Sequence, residues 1–524
     1  AFGLRYLMAN MGELKSRAML VEFDINQRPL DIAEALLARQ PRILGFGVYI
    51  WNVAETAEVL AAIKKVRPDI TIILGGPEVS HETEQQAIVA LADYVITGEA
   101  DLAFAEVCRQ ILAGRPPEDK VLAAPLPEFD QLQLPYDLYT DEDIAHRVIY
   151  VEASRGCPFR CEFCLSSLDV PVRQAPLEAL LEHLDRLLQR GVRHFKFVDR
   201  TFNLNLNVSR TLLQFFLERH RPGMLFHFEM IPDRLPEPLR RIIARFPPGA
   251  LQFEVGIQSF NEEVCALISR RQDLERLTDN LTFLRRQTGV HVHADLIAGL
   301  PGESLESFAA GFDRLVALGP QEIQVGILKR LRGTPIVRHD EAWSMRYHPH
   351  PPYEILQNRL LDFATLQRLR RFAKYWDLVA NSGNFVSTTP LFWANAPASS
   401  ASARPSPFWS FLRFSDWLFA RLGRTDGIAL ARLAEMVFGF LVQERALDRT
   451  DVAQKLWRDW QAGGRRDPPI FLREWIDPAS SRVSVGSRAG SLRRQARHTA
   501  WAELPDPAPR REGDPARRSP EAPG

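Results

Sequence analysis

Three of the five cysteines in this 524-residue chain, Cys157, Cys161 and Cys164, share the run Cys-Pro-Phe-Arg-Cys-Glu-Phe-Cys. Three thiolates on one loop suit three irons of a 4Fe-4S cubane and leave the fourth iron open to a substrate or cosubstrate. Zinc is the rival metal, but structural zinc sites join one CxxC to a second pair at a distance. Neither Cys108, inside a helical run, nor Cys265, in NEEVCALI, supplies that second pair. Five cysteines in this length are also too few for a disulfide scaffold.

A loop that holds a cluster needs rigid elements on either side. VIYVEAS (148–154) reads as a strand, and Arg155-Gly156 as the turn that leads into the cysteines. From 147 to about 328 six strand-like runs (VIYVEAS, RHFKFVD, LFHFEM, LQFEVGIQ, HVHADLIAG and EIQVGIL) alternate with helical runs such as PLEALLEHLDRLLQR. The pattern predicts an α/β fold with a partial (β/α)6 barrel whose site lies at the carboxyl ends of its strands. His291 and His293 alternate on one strand and so share a face, where polar neighbours are expected to satisfy them, with paired metal ligation as the alternative.

Ahead of the barrel, the runs AMLVEFDI (18–25), RILGFGVYI (42–50), DITIILGG (69–76) and DYVITGEA (93–100) predict strands separated by amphipathic helices. Near-continuous apolar strands with helices between them predict a flavodoxin-like, doubly wound parallel sheet with its ligand beyond the strand ends. A helix at Phe2–Leu14 with no strand before it leads us to expect a missing first strand, roughly 10 to 20 residues at the amino terminus. The expected division is 1–120 for this domain, 121–146 for a proline- and acid-rich linker and 147–350 for the barrel core. A small helical domain follows at 351–465, rich in tryptophan (Trp376, Trp393, Trp409, Trp417), and then a disordered tail at 466–524 dominated by Pro, Arg, Ser, Ala and Gly.

The 65 basic and 65 acidic residues cancel, so no overall positive field gathers nucleic acid or an anionic membrane. No apolar run reaches the roughly 20 residues of a membrane span. A cytoplasmic protein is expected.

The CxxxCxxC spacing, with Phe163 before the last cysteine and six β/α units following, resembles the radical SAM superfamily. The resemblance implies that the open iron chelates S-adenosylmethionine (SAM), which one electron splits into methionine and a 5′-deoxyadenosyl radical. Within that superfamily the segment is similar to the oxygen-independent coproporphyrinogen oxidase branch. This implies SAM contacts by Glu229 (FHFEMIPDR), Gln258 (VGIQSFNEE), Arg270 (LISRRQ) and Asp295 (HADLIAGLPGE). Asp199, in FVDRTFN, stands where the superfamily often has a Gly-Gly-Glu turn near the methionine amino group. A doubly wound domain ahead of such a barrel resembles the cobalamin-binding branch, which implies that Gly75 and Gly76 approach the nucleotide tail. The DxHxxG signature of cobalamin domains is absent, and His81 lies outside any such motif. A dinucleotide GxGxxG does not occur in this domain either.

The implied function is cobalamin-dependent radical SAM catalysis, with methylation of an unactivated carbon in a small-molecule or natural-product substrate. An electron donor such as flavodoxin or ferredoxin would serve it. The alternatives are radical cyclisation, oxidation or rearrangement without methyl transfer and, from another class, a non-catalytic iron-sulfur electron carrier.

Overall fold

The computed structural model describes residues 1–169, 171–394, 405–476 and 494–500. Contacts divide the chain into two units, Ala1–Asn381 with Phe392–Gly427, and Ser382–Leu391 with Ile428–Gly524. Among the described residues no helix is long and apolar enough to cross a membrane.

The first unit begins with a four-stranded parallel sheet: β1 (Ile43–Gly47), β2 (Thr71–Gly75), β3 (Tyr94–Thr97) and β4 (Val121–Ala123), in that spatial order. Its central strands are apolar on both faces, with Ile72, Ile73, Leu74, Val95 and Ile96 all buried, as a sheet covered on both sides requires. Two expectations change here. AMLVEFDI (18–25) is not a strand: an alternating run becomes one only when an edge pairs with it, and here β1 pairs with β2 alone. β4 falls inside the stretch read as linker; it has three residues and a mostly exposed pattern, so no apolar period announces it.

The second sheet of this unit is a six-stranded parallel barrel sheet. In chain order its strands are β5 (Ile149–Val151), β8 (His194–Phe197), β9 (Leu225–Met230), β10 (Leu251–Gln258), β11 (His291–Ala298) and β12 (Glu322–Ile327). Between the first two lies a small antiparallel ribbon, β6 (Ser154–Arg155) with β7 (Arg173–Gln174). Helices cover one face, on which Phe195, Phe197, Phe226, Phe228 and Phe253 are buried, the first three packing against Phe216 of the 206–218 helix. Burial of each such ring contributes about 1.5–3 kcal/mol. The concave face is polar instead, carrying Lys196, His227, Glu229, Glu254, His293 and Asp295 at alternate positions. Asn205, Asn261, Asp273 and Ser304 cap the helices that follow the strands, accepting from the first-turn amides, so each loop enters its helix at a set point.

Helices Phe363–Trp376 and Pro407–Leu422 also belong to the first unit. There Trp376 is buried and packs edge-on against Phe312 and Phe411, a core role rather than a pocket wall. The second unit holds helices Leu430–Gly439 and Arg449–Ala462. Buried Asp459 accepts there from Ser387 N (2.8 Å), Thr388 N (2.9 Å) and Thr388 Oγ1 (2.7 Å). Of the tail expected to be disordered, residues 466–476 carry a 3₁₀ turn at Ile470–Leu472 with Leu472 and Ile476 buried, and Arg494–Ala500 is helical. The stretches 477–493 and 501–524 lie outside the described residues.

Candidate functional site

The cysteines sit in the loop closed at its neck by the β6–β7 ribbon. Gly156 makes the turn at φ +88°, and a Cβ there would lie 2.7 Å from Asp169 O and 2.9 Å from Pro171 O, so only glycine fits. Cys157 N donates to Asp169 O (3.0 Å), and Cys164 N to Cys161 O (3.1 Å). Glu162, inside the cysteine run and buried, anchors the loop. It accepts from His339 Nε2 (2.7 Å), Ser269 Oγ (2.8 Å) and Arg338 Nη1 (3.2 Å).

Cys157 and Cys161 are buried, Cys164 is half-buried, and none is in a disulfide. Burial pushes the Cys157 and Cys161 thiols up, and for Cys157 the other two thiols add to the shift. Arg270 Nη1 donates to Cys161 Sγ (3.5 Å) and favours its thiolate. Among the described residues no three His, Cys, Asp or Glu side chains converge as the ligands of one ion would. A cubane binds its three thiolates to three different irons, so its donors stand farther apart than those around a single zinc. The trio fits the cluster by its shared loop, mutual influence and arginine.

The residues implied as SAM contacts lie mostly along the carboxyl rim beside this loop. Gln258 ends β10 after a register shift, at φ +72°, with Oε1 buried and without a hydrogen bond. Arg270 touches β10 and the cysteines together, through Ile257 O (3.2 Å), Gly256 O and Cys161 Sγ. Asp295 Oδ1 is buried, 3.3 Å from His293 Nε2 but not aligned as a hydrogen bond, and burial pushes its carboxyl up. Glu229, next to last in β9, accepts through both oxygens from Arg200 Nη1 (3.0 and 2.9 Å). The buried Gln258 Oε1, without a hydrogen bond, is what a polar ligand would satisfy, and Asp295 Oδ1 beside His293 has room to accept one.

Asp199 is placed differently. Its oxygens accept from Ala153 N (3.0 Å) and Ser154 Oγ (2.6 Å), which fastens the exit of β5, and burial pushes its carboxyl up to about 6. The next residue, Arg200, is the one that faces the cavity.

That cavity, of about 470 Å³, opens between the strand ends of the first sheet and the neck of the cysteine loop. Gly45, Gly47, Gly75 and Gly76 line one side; Glu152, Ser154, Arg155 and Arg200 line the other. The two glycines named from the sequence separate in role. A Cβ on Gly75 would meet only Ile96 O at 3.5 Å, so the absent side chain leaves space in the cavity. A Cβ on Gly76, at φ +105°, would lie 2.5 Å from Val48 O, so the backbone itself requires that glycine. The volume is within the usual range for a ligand site and suits part of a large cofactor, such as a nucleotide tail.

Residues 1–108 match the B12 binding domain, and residues 151–315 match the Radical SAM superfamily. The chain is a radical SAM protein with a B12-binding domain. Residues 341–460 match a further family described as a protein of unknown function. An uncharacterized methyltransferase of Pyrococcus horikoshii is 24% identical over 307 residues, 53% of this chain and 65% of that one. The chain thus spans about half to two thirds of the curated relatives it matches first. Among solved structures, the cobalamin-dependent SAM radical enzyme OxsB, with aqua-cobalamin and SAM bound, is alike in fold with a TM-score of 0.58. It is 14% identical, and the match covers 96% of this chain and 80% of that one. The radical SAM methyltransferase TsrM of Kitasatospora setae, with tryptophan and a SAM analogue bound, has a TM-score of 0.53. It is 17% identical over 67% of this chain and 76% of that one.

Sequence reasoning passed over Lys196, His227, Glu254 and Glu322 at the charged centre of the barrel. Glu254 accepts from His227 Nε2 (3.0 Å) and faces Lys196 Nζ (3.5 Å). Burial works against its carboxylate, but His227 and Lys196 outweigh that and hold it down at about 2. His293 lies between Asp295 (3.3 Å) and Glu322 (3.6 Å), and His291 Nε2 meets Glu322 Oε1 at 2.9 Å. The polar residues at i, i+2 in LFHFEM, LQFEVGIQ and HVHADL carried that signal.

Proposed function

We propose that this protein is a cobalamin-dependent methyltransferase that cleaves SAM reductively and methylates an unactivated carbon of a small-molecule substrate. The supporting observation is a cavity lined both by the strand ends of the B12-binding domain and by the neck of the cysteine loop. When bound, the cluster supplies the electron that cleaves SAM, and cobalamin supplies the methyl group. Cys157, Cys161 and Cys164 would hold the cluster, with Arg270 steadying the charge on Cys161. Glu229, Gln258 and Asp295 would orient SAM from adjacent strands, and Gly75 would leave room for the nucleotide tail. The reading carries a cytoplasmic location, with flavodoxin or ferredoxin as electron donor.

The test is anaerobic reconstitution of the full chain with iron, sulfide and hydroxocobalamin, followed by SAM and a chemical reductant. 5′-Deoxyadenosine should form, and the protein should retain about one cobalamin. Absence of 5′-deoxyadenosine refutes the radical chemistry. Failure to retain cobalamin refutes the methyl-transfer reading. Retention of label from methyl-labelled SAM on a product of a candidate substrate is the positive result for methylation.

A further inference from the structure

The turn after β3, Thr97-Gly98-Glu99-Ala100-Asp101, has the position of a ligand-contacting turn, yet its carboxylates reach across to the barrel domain. Glu99 Oε2 accepts from Arg155 Nη1 (2.8 Å) and Arg173 Nη1 (3.0 Å), while Arg173 Nη2 closes on Glu99 Oε1. Asp101 accepts from Arg155 Nη1 (2.8 Å) and Nη2 (3.2 Å). Arg155 and Arg173 are register partners across the β6–β7 ribbon. The ribbon closes the loop of residues 156–172 that carries all three cysteines. Two guanidinium groups opposite one another on a ladder repel, and they stand at the neck of the cluster loop. Glu152 and Asp169, from the barrel domain itself, each pair with only one of the two, at 2.9 and 3.1 Å. Glu99 bridges both.

Arg155 is also placed by aromatic faces, its guanidinium 4.5 Å from the Tyr6 ring centre and 5.1 Å from that of Phe129. One residue later Gly156 turns at φ +88° into Cys157, whose amide is tied to Asp169 O (3.0 Å) across the neck. A displacement of Arg155 is therefore passed to the first cysteine. Glu99, Asp101 and Arg155 all line the cavity assigned to cobalamin.

We propose that Glu99 and Asp101 are positioning residues for the cluster and SAM, closing the neck of the cysteine loop from the other domain. Binding in the cobalamin cavity and binding of SAM are thereby coupled. The inference rests on the cobalamin reading of that cavity. A ligand packed against Glu99, Asp101 and Arg155 orders the neck, so SAM then meets a loop whose ordering cost has been met. The coupling is reciprocal, because linked binding free energies must be.

The experiment measures SAM affinity of the reconstituted full chain by anaerobic calorimetry, with and without saturating hydroxocobalamin. It compares wild type, Glu99→Gln, and Glu99→Gln combined with Arg173→Gln. In wild type, hydroxocobalamin should tighten SAM binding by about 5- to 20-fold, within the usual span of allosteric couplings. In Glu99→Gln, SAM should bind more weakly and the coupling should fall below about 2-fold. Adding Arg173→Gln relieves the repulsion between the two facing guanidinium groups that Glu99 no longer bridges and should restore part of the SAM affinity, a non-additivity that a general loss of structure would not give. Wild-type coupling in Glu99→Gln, or no recovery in the double variant, overturns the proposal. Hydrogen exchange over 156–172 in wild type gives a readout free of variants. Slower exchange with hydroxocobalamin supports the coupling, and unchanged exchange refutes it. If hydroxocobalamin does not bind wild type, the cobalamin reading falls and this inference with it; if it binds and leaves SAM affinity unmoved, only this inference falls.

Discussion

Replacing Gly75 and Gly76 separately should give two different failures, although the residues are adjacent at the end of β2. At Gly76 the backbone has φ +105°, and an alanine Cβ would lie 2.5 Å from Val48 O and 2.9 Å from Val48 N. A positive φ costs a non-glycine residue about 1–2 kcal/mol. Contacts that close force a shift of β1 or β2, and overpacking of this kind adds about 1–3 kcal/mol. The sum, about 2–5 kcal/mol, is a large part of the roughly 5–15 kcal/mol that keeps a domain folded. Gly76→Ala should therefore lower the melting temperature of the apoprotein by several degrees. At Gly75 an added Cβ meets only Ile96 O at 3.5 Å, and φ is not in the left-handed region. Gly75→Val should melt close to wild type but place its methyl groups in the 470 Å³ cavity. Crowding a bound nucleotide tail by about 1–3 kcal/mol weakens affinity roughly 5- to 150-fold, at 1.4 kcal/mol per tenfold. Thermal melts of apoprotein and absorbance titrations with hydroxocobalamin make the measurement. Wild-type affinity in Gly75→Val, or wild-type stability in Gly76→Ala, would refute the division of roles.

Alanine at Cys157, Cys161 or Cys164 should each abolish the visible absorbance of the reconstituted cluster and the formation of 5′-deoxyadenosine. Cys108→Ala and Cys265→Ala should keep both, and a trio variant with normal iron content and SAM cleavage would contradict the assignment. A pH dependence follows from Glu303, buried with Ser259 Oγ (2.6 Å) and Ser307 Oγ (3.3 Å) on Oε1, whose carboxyl burial pushes from 4.5 up to about 7. In the window from about 4.5 to 7 the folded chain holds a proton that the unfolded chain has released. The stabilising contribution is thus complete below 4.5 and lost as pH rises through 7, on the order of 3 kcal/mol in all. Glu303→Gln should flatten that part of the stability profile in denaturant titrations at a series of pH values, and an unchanged slope would count against it.

The barrel strands were legible because each alternates: Phe226, Phe228 and Met230 turn to the helices while His227 and Glu229 turn inward, and that period is local. The cysteine loop was legible for the same reason, since type and spacing lie within one short run. AMLVEFDI shows the limit of such local evidence, because a strand is a pairing and the run does not say what lies beside it. Val121–Ala123 shows the converse, a strand formed by the neighbouring edge of β3 with almost no apolar signal of its own. Asp199 and Arg200 make the point at the scale of a side chain. Both are charged residues at a strand end, and only the amide of Ala153 and the hydroxyl of Ser154, 46 and 45 residues earlier, decide that the aspartate is consumed and the arginine left to face the cavity. Glu99 and Asp101 extend the argument to function. Their acidity was visible, but the arginines they hold lie 54 to 74 residues away on the neck of another domain's loop. The residues proposed to make the chemistry could be found by type and spacing, whereas those proposed to hold the two cofactor sites in one geometry act through partners that only the folded chain brings together.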